Sequence, residues 1–198
     1  MKIIGILLAG GQSRRFGQPK AFAVYKEKHF YEWAKEALKP NVDEMVIVSH
    51  PSLKREFERR GERHVVEDAA PFQGKGPLAG IYTVMKQYDG DWYVVLPCDT
   101  PEVTPLIIQN IESFIAEDIE AVIPVIDGKF QPLTAMYHKR TKSTIGDLLA
   151  EGEYRVKSLL DRCRVRWTTE EELRVDGEEF KNINDQISFQ ELLDNKKK

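Results

Sequence analysis

The chain has 198 residues, enough for one substantial hydrophobic core and short for two independent ones. Hydrophobic residues make up 41% and charged residues 31%, a balance that excludes intrinsic disorder. The 29 Lys and Arg against 32 Asp and Glu leave a formal net charge of −3, which excludes a global basic field drawing the protein to nucleic acid or membrane.

In chain order, Ile3–Ala9 is a continuous apolar run. It superficially resembles an export signal, but it is short and ends in Gly-Gly ahead of Arg14 and Arg15, so it reads as a buried strand entering a turn. Phe30, Trp33, Ala34, Ala37 and Leu38 repeat at the spacing of one buried helix face, with Trp33 expected in the core. Strands are expected at 45–48, 65–66, 92–96, Ala121–Ile126 and 133–137. Leu78, Ile81, Tyr82 and Met85 predict a second helix, and Ile107, Ile108, Ile111, Phe114 and Ile115 a third, with Thr104 at the N-cap and Pro105 at N1. A short helix over 155–163, a strand Val165–Thr168 and a helical turn Glu170–Leu173 follow. Ser188 and Glu191 read as a capping box for a last helix through Leu192 and Leu193, with 196–198 a frayed tail. Strands alternating with helices predict a three-layer α/β/α sandwich with a mostly parallel sheet, forming a single domain over 1–195. No stretch approaches the ~20 apolar residues of a membrane span. Two isolated cysteines, Cys98 and Cys163, build no disulfide framework or zinc-ligand spacing, so a cytoplasmic protein is expected.

The first loop is the most informative stretch. Gly10 and Gly11 follow the first strand, at the carboxyl end where α/β sheets collect ligands. Paired glycines allow a tight turn that aims N–H groups at an anion, and Arg14, Arg15 and Lys20 bring positive charge to the same spot. Neither G-x-x-x-x-G-K-[ST] nor G-x-G-x-x-G occurs, so a P-loop NTPase or a nicotinamide dehydrogenase is disfavoured. A glycine turn leading into a solvated basic loop is the plainer alternative, but two glycines and three cations at a strand end favour a triphosphate.

Asp99 stands just past the run 92–96, with Pro97 and Cys98 between. A single carboxylate there suits Mg²⁺, which completes its shell with water and substrate phosphate; a turn cap ahead of Pro101 is the alternative. Cys98 has no His or second Cys nearby and reads as a small buried side chain.

With these residues in place, the chain resembles the molybdenum cofactor guanylyltransferases of the nucleotidylyltransferase superfamily. The resemblance rests on Leu-Ala-Gly-Gly-x-Ser-x-Arg-x-Gly followed by lysine (Leu8 to Lys20), Glu67-Asp68, Gly76-Pro77-Leu78-Ala79-Gly80, Pro97-Cys98-Asp99-Thr100-Pro101, Gly152-Glu153-x-Arg155-Val156 and Asn182-Ile183-Asn184. It implies a Rossmann-like nucleotidylyltransferase fold and transfer of GMP from GTP to molybdopterin phosphate with release of pyrophosphate. It implies that Leu8, Ala9, Gly10, Gly11, Lys20, Asp68 and Asp99 bind the nucleotide, Arg15, Lys20 and Asp99 carry catalysis, and Asp99 holds Mg²⁺. Gly80, Arg155, Asn182 and Asn184 are implied for the acceptor. Asp68 could read guanine through N1–H and the amino group, hold the ribose, or be a surface carboxylate. Arg155 on a solvated face and two turn asparagines are the plain alternatives on the acceptor side.

Two positions depart from the family pattern. Pro19 stands where Asp often precedes the loop lysine, and Ser49 where Asn commonly follows the second strand. Nearest alternatives are a molybdopterin cytidylyltransferase or a sugar-1-phosphate nucleotidylyltransferase; a non-catalytic GTP-binding regulator is the rival from another class. Lys157, Arg162, Arg164 and Arg166 lack the aromatic interleaving of a nucleic-acid site and read as a solvated edge. His29, His50, His64 and His138 show no ligand spacing and read as surface or strand-end residues. A monomer is expected, with molybdopterin-delivering or molybdoenzyme-maturation proteins as candidate partners.

Overall fold

The central strand β1, Ile3–Ala9, alternates between two cores. Ile3, Leu7 and Ala9 point to one face of the sheet, and Ile4, Ile6 and the half-buried Leu8 to the other. The same alternation runs through β4 (Glu44–Ser49) and β6 (Trp92–Pro97), which flank β1 in parallel. The structure, a computed structural model, describes residues 1–11 and 16–194. Arg14, Arg15 and the 196–198 tail lie outside the described residues.

The remaining strands are β2 (Val24–Tyr25), β3 (Lys28–His29), β5 (Val65–Val66), β7 (Ala121–Ile126), β8 (Lys129–Phe130), β9 (Ala135–His138) and β10 (Val165–Thr168). The main sheet runs β10-β7-β9-β6-β1-β4-β5, with β8 paired to β7 and a separate β2–β3 hairpin. It is mixed and mostly parallel: β9 lies antiparallel to both β6 and β7, while β10 returns parallel to β7. Helices cover both faces, giving the expected three layers. α1 (Phe30–Leu38), α2 (Pro51–Arg59), α4 (Pro105–Glu112) and α7 (Glu170–Leu173) close one core; α3 (Pro77–Gln87), α5 (Thr141–Ala150) and α6 (Val156–Leu160) close the other. A third cluster packs the C-terminal helix α8 (Gln186–Asp194) against Phe16, Phe30 and Tyr25, and Gln186 Nε2 donates to the Phe16 carbonyl at 2.6 Å. Thus the end of the chain is tied across the first loop.

Several local expectations are corrected. Trp33 is half-buried, packed on the third cluster with Nε1 donating to the Tyr25 carbonyl at 2.8 Å, and Tyr31 occupies the core instead. The indole N–H needs a polar partner, which the core would not supply. Thr104 does stand at the N-cap of α4 with Pro105 at N1, but its hydroxyl makes no capping bond. α4 ends at Glu112, so Phe114 and Ile115 continue the apolar face from a turn. Helix 155–163 shrinks to α6, and strand 133–137 begins only at Ala135. α8 is capped three residues before the predicted box: Asp185 Oδ1 accepts the Ser188 N–H at 2.9 Å, while Ser188 Oγ accepts the Asp185 N–H at 3.2 Å. Ser188 is therefore the third helical residue rather than the cap. Among the described residues no helix is long and apolar enough to cross a membrane.

Candidate active site

Strand register aligns the site. Ala9 lies opposite Ser49 and Leu8 opposite Pro97, so β1, β4 and β6 finish at one edge. Gly10 and His50, next after β1 and β4, and Asp99, two residues past the end of β6, therefore surround the crevice on either side of the central strand, where connections leave in opposite directions. A cleft of ≈ 980 Å³ opens there. Leu8, Ala9, Gly10, Gly11, Lys20, Asp68, Gly80, Asp99, Asn182 and Asn184 all line it.

Lys20 and Asp99, 79 residues apart, meet directly: Lys20 Nζ is 2.9 Å from Asp99 Oδ2. The ammonium also donates to Asn184 Oδ1 at 2.7 Å. Both charged side chains are largely buried, 13% and 19% exposed. Two links place these groups. Cys98 N–H donates to the Leu8 carbonyl at 3.0 Å, continuing the β1–β6 pairing one step past β6, and Ile183 N–H donates to the Asp99 carbonyl at 2.8 Å. The second link docks buried Ile183 against the strand end, so Asn182 and Asn184 flank Asp99. Burial pushes the Cys98 thiol far above its ordinary pKa, which keeps it protonated and un-nucleophilic.

Asp68 forms a second pole of the cleft. Its Oδ2 accepts the Gly74 N–H at 2.9 Å, and Gly74 has a φ of +69°, a conformation that favours glycine. Burial raises the Asp68 pKa; the Gly74 N–H bond and the electrostatic influence of nearby His50 pull the other way. Gly80 belongs to this pole rather than to the Asn182–Asn184 side. A Cβ on Gly80 would lie 2.9 Å from Val48 Cγ1, 3.3 Å from Leu8 Cδ2 and 3.4 Å from Asp68 Oδ1. Gly80→Ala should therefore cost about 1–3 kcal/mol through overpacking. It should also raise the KM for nucleotide as Leu8 and Asp68 shift, checked by thermal denaturation alongside steady-state kinetics.

Arg155 is not drawn into the cleft. Its guanidinium is 79% exposed and clamped by Glu153, with Nε–Oε1 at 3.0 Å and Nη2–Oε2 at 2.7 Å. Arg15 lies outside the described residues. His50, which the sequence places among surface or strand-end residues, lines the cleft, as do Pro51, Leu53, Gln73 and Leu133, which carry no site signal in the sequence. For His50 the signal was available, since it follows the carboxyl end of β4 just as Gly10 follows β1.

The model of the MobA-like NTP transferase domain matches residues 5–167. A probable molybdenum cofactor guanylyltransferase of Bacillus subtilis is 45% identical over 189 residues, covering 96% of this chain and 94% of the relative. Another from Bacillus licheniformis is 42% identical over 192 residues, covering 97% of each.

The chain belongs to the molybdenum cofactor guanylyltransferase family.

It is accordingly a nucleotidyltransferase, and Gly10, Gly11, Lys20 and Asp99 line one cleft at the strand ends. Molybdopterin-guanine dinucleotide biosynthesis protein A from Archaeoglobus fulgidus superposes with a TM-score of 0.80 at 23% identity, over 96% of each chain. An inositol-1-phosphate CTP transferase from T. maritima superposes with a TM-score of 0.71 at 14% identity, over 96% of this chain and 94% of that one. At these identities the likeness shows the shared fold alone. It does not choose the base, since a CTP-using enzyme shares that fold.

Proposed function

We propose that this chain transfers GMP from GTP to the terminal phosphate of molybdenum-molybdopterin in the cytoplasm, releasing pyrophosphate. The observation that carries the reading is the convergence of Lys20 and Asp99 on one cleft beside the Gly10-Gly11 turn. The relatives named as guanylyltransferases supply the substrate pair.

An acceptor phosphate oxygen attacks the α-phosphorus of GTP, forming the new phosphoanhydride. The bond between the α-phosphorus and its bridging oxygen to the β-phosphate breaks, and pyrophosphate departs with the electron pair. The acceptor phosphate is already ionised at neutral pH, so the step needs no general base. What the protein supplies is position and charge. Leu8, Ala9, Gly10 and Gly11 cradle the triphosphate with Lys20, and Arg15 adds charge from the same loop. Asp68 holds the nucleoside. Asn182 and Asn184 face the pterin edge, which presents donors and acceptors that amides match in both directions. Arg155 would have to leave Glu153 to reach an acceptor phosphate, a charge exchange that a dianion can drive.

The donor set suits a divalent ion of the Mg²⁺ type. Asp99 Oδ2 and Asn184 Oδ1 both lie within hydrogen-bonding distance of one cationic nitrogen, so hard oxygens already converge on a cation. Among the described residues no cluster of three or more His, Cys, Asp or Glu could cage a metal, and Mg²⁺ ordinarily completes its shell with water and phosphate. Asp99 would hold the ion, which when bound draws charge from the phosphates. A manganese complex is known for a structural neighbour from Mycobacterium tuberculosis, and it is in keeping with this reading.

Incubation with each of the four NTPs plus molybdopterin tests the substrate choice through pyrophosphate release. GTP should exceed the others by at least tenfold. Preference for CTP would end the guanylyl reading, and GTP binding without product for any acceptor would favour a regulator.

A further inference from the structure

Ser49, the departure from the family's usual Asn after the second strand, lines the cleft with its hydroxyl proton already committed. It is 3% exposed, and its hydroxyl donates to the His50 carbonyl at 2.9 Å. The polar tip at this strand end comes instead from the next residue. His50 lines the cleft half-buried, with Asp68 also on the cleft and close enough for the two side chains to interact electrostatically. Its backbone N lies only 3.7 Å from where a Cβ on Gly10 would sit, so it abuts the glycine turn.

The ring is held in one orientation. His50 is the N-cap of α2, and its Nδ1 accepts the Ser52 N–H at 3.2 Å and lies 2.8 Å from Ser52 Oγ. A backbone N–H can only donate, so Nδ1 must present its lone pair. The neutral ring therefore carries its proton on Nε2. Two cleft-lining residues thus offer complementary groups: His50 an N–H donor on Nε2, and Asp68 a carboxylate acceptor. Guanine alone among the common bases offers a carbonyl acceptor at position 6 beside donors at N1 and the 2-amino group. Adenine presents an amino donor at position 6, which would oppose the imidazole N–H, and no proton at N1 for the carboxylate.

We propose that His50 is a specificity-determining residue: its Nε2–H donates to guanine O6 while Asp68 accepts from N1–H and the 2-amino group. The proposal rests on the GTP reading above and goes further by assigning the base edge to a residue pair.

Calorimetry with Mg²⁺ and three triphosphates tests it: GTP; ITP, which keeps O6 and N1–H; and 2-aminopurine riboside triphosphate, which has no O6. His50→Asn retains a good helix cap while removing the imidazole. It should weaken GTP and ITP binding about tenfold, the worth of one hydrogen bond, and leave the 2-aminopurine nucleotide within twofold. Equal loss with all three, or no loss with any, overturns the proposal. A second measurement uses the unaltered protein: the His50 Nε2–H resonance should shift on adding GTP and not on adding the 2-aminopurine nucleotide, and identical responses to both count against it. Failure of the underlying reading is visible separately. Wild-type protein that binds CTP and not GTP sinks both, whereas GTP preference with uniform loss in His50→Asn sinks only the assignment to His50.

Discussion

Asp99→Ala is expected to lower kcat by roughly 10³-fold or more, with the folded structure retained. The carboxylate stands at the carboxyl end of β6, held by the Ile183 N–H on its own carbonyl and facing Lys20 at 2.9 Å. If it holds the cation that shares the phosphate charge, its removal leaves the triphosphate in the cleft with one positive partner fewer. Alanine also leaves the largely buried Lys20 ammonium with only its other partners, Asn184 Oδ1 among them, so some loss of stability is expected too. Asp99→Asn separates the effects. The amide oxygen can still accept from Lys20, but the negative charge a metal needs is gone. Asparagine should therefore melt close to the unaltered protein and still lose at least ~10² in turnover. Pyrophosphate release and thermal denaturation measured on both variants decide between the roles. Turnover unchanged in Asp99→Ala would remove Asp99 from the chemistry and leave it as a turn cap.

The elements legible in the sequence are those where one physical signal dominates. Ile3–Ala9 and Trp92–Pro97 are apolar on both faces because both are covered by helices. The first ends at the glycines that follow it, and the second at Pro97, its own last residue. α2 escaped because only Leu53 and Phe57 along Pro51–Arg59 contact the core; the rest is charged and solvated. The β2–β3 hairpin escaped for another reason: it turns at Lys26 and Glu27, both at positive φ, where glycine or asparagine would have announced the turn. Nothing in the run Ala135–His138 shows that it pairs antiparallel to β6, since strand direction depends on the path of the preceding chain. The convergence of Gly10, Lys20 and Asp99 on one cleft was legible because position near the strand ends and residue chemistry pointed the same way. Arg155 shows the limit of that logic. Its chemistry suits a phosphate, but Glu153, two residues before it, supplies a nearer partner.

Lys20→Ala should lower turnover by roughly 10²-fold or more, the usual loss when one donor aimed at developing charge is removed. It should also do something less obvious to the metal requirement. The ammonium sits on Asp99 Oδ2, a carboxylate oxygen that a divalent ion could also use. A divalent ion held by Asp99 would compete with the ammonium for this carboxylate, and a lysine displaced by it would be available to the phosphates. Removing the lysine removes the competitor, and half-maximal activation should require less Mg²⁺ even as the maximal rate falls. A purely structural lysine, tying the 19–22 turn to the C-terminal segment through Asp99 and Asn184, predicts a different pattern. Its loss would lower the melting temperature and leave the Mg²⁺ dependence unmoved. Mg²⁺ titrations of pyrophosphate release, run beside thermal denaturation on the Lys20→Ala and Lys20→Met variants, distinguish the two. The methionine keeps the apolar stem and so reports the loss of charge alone.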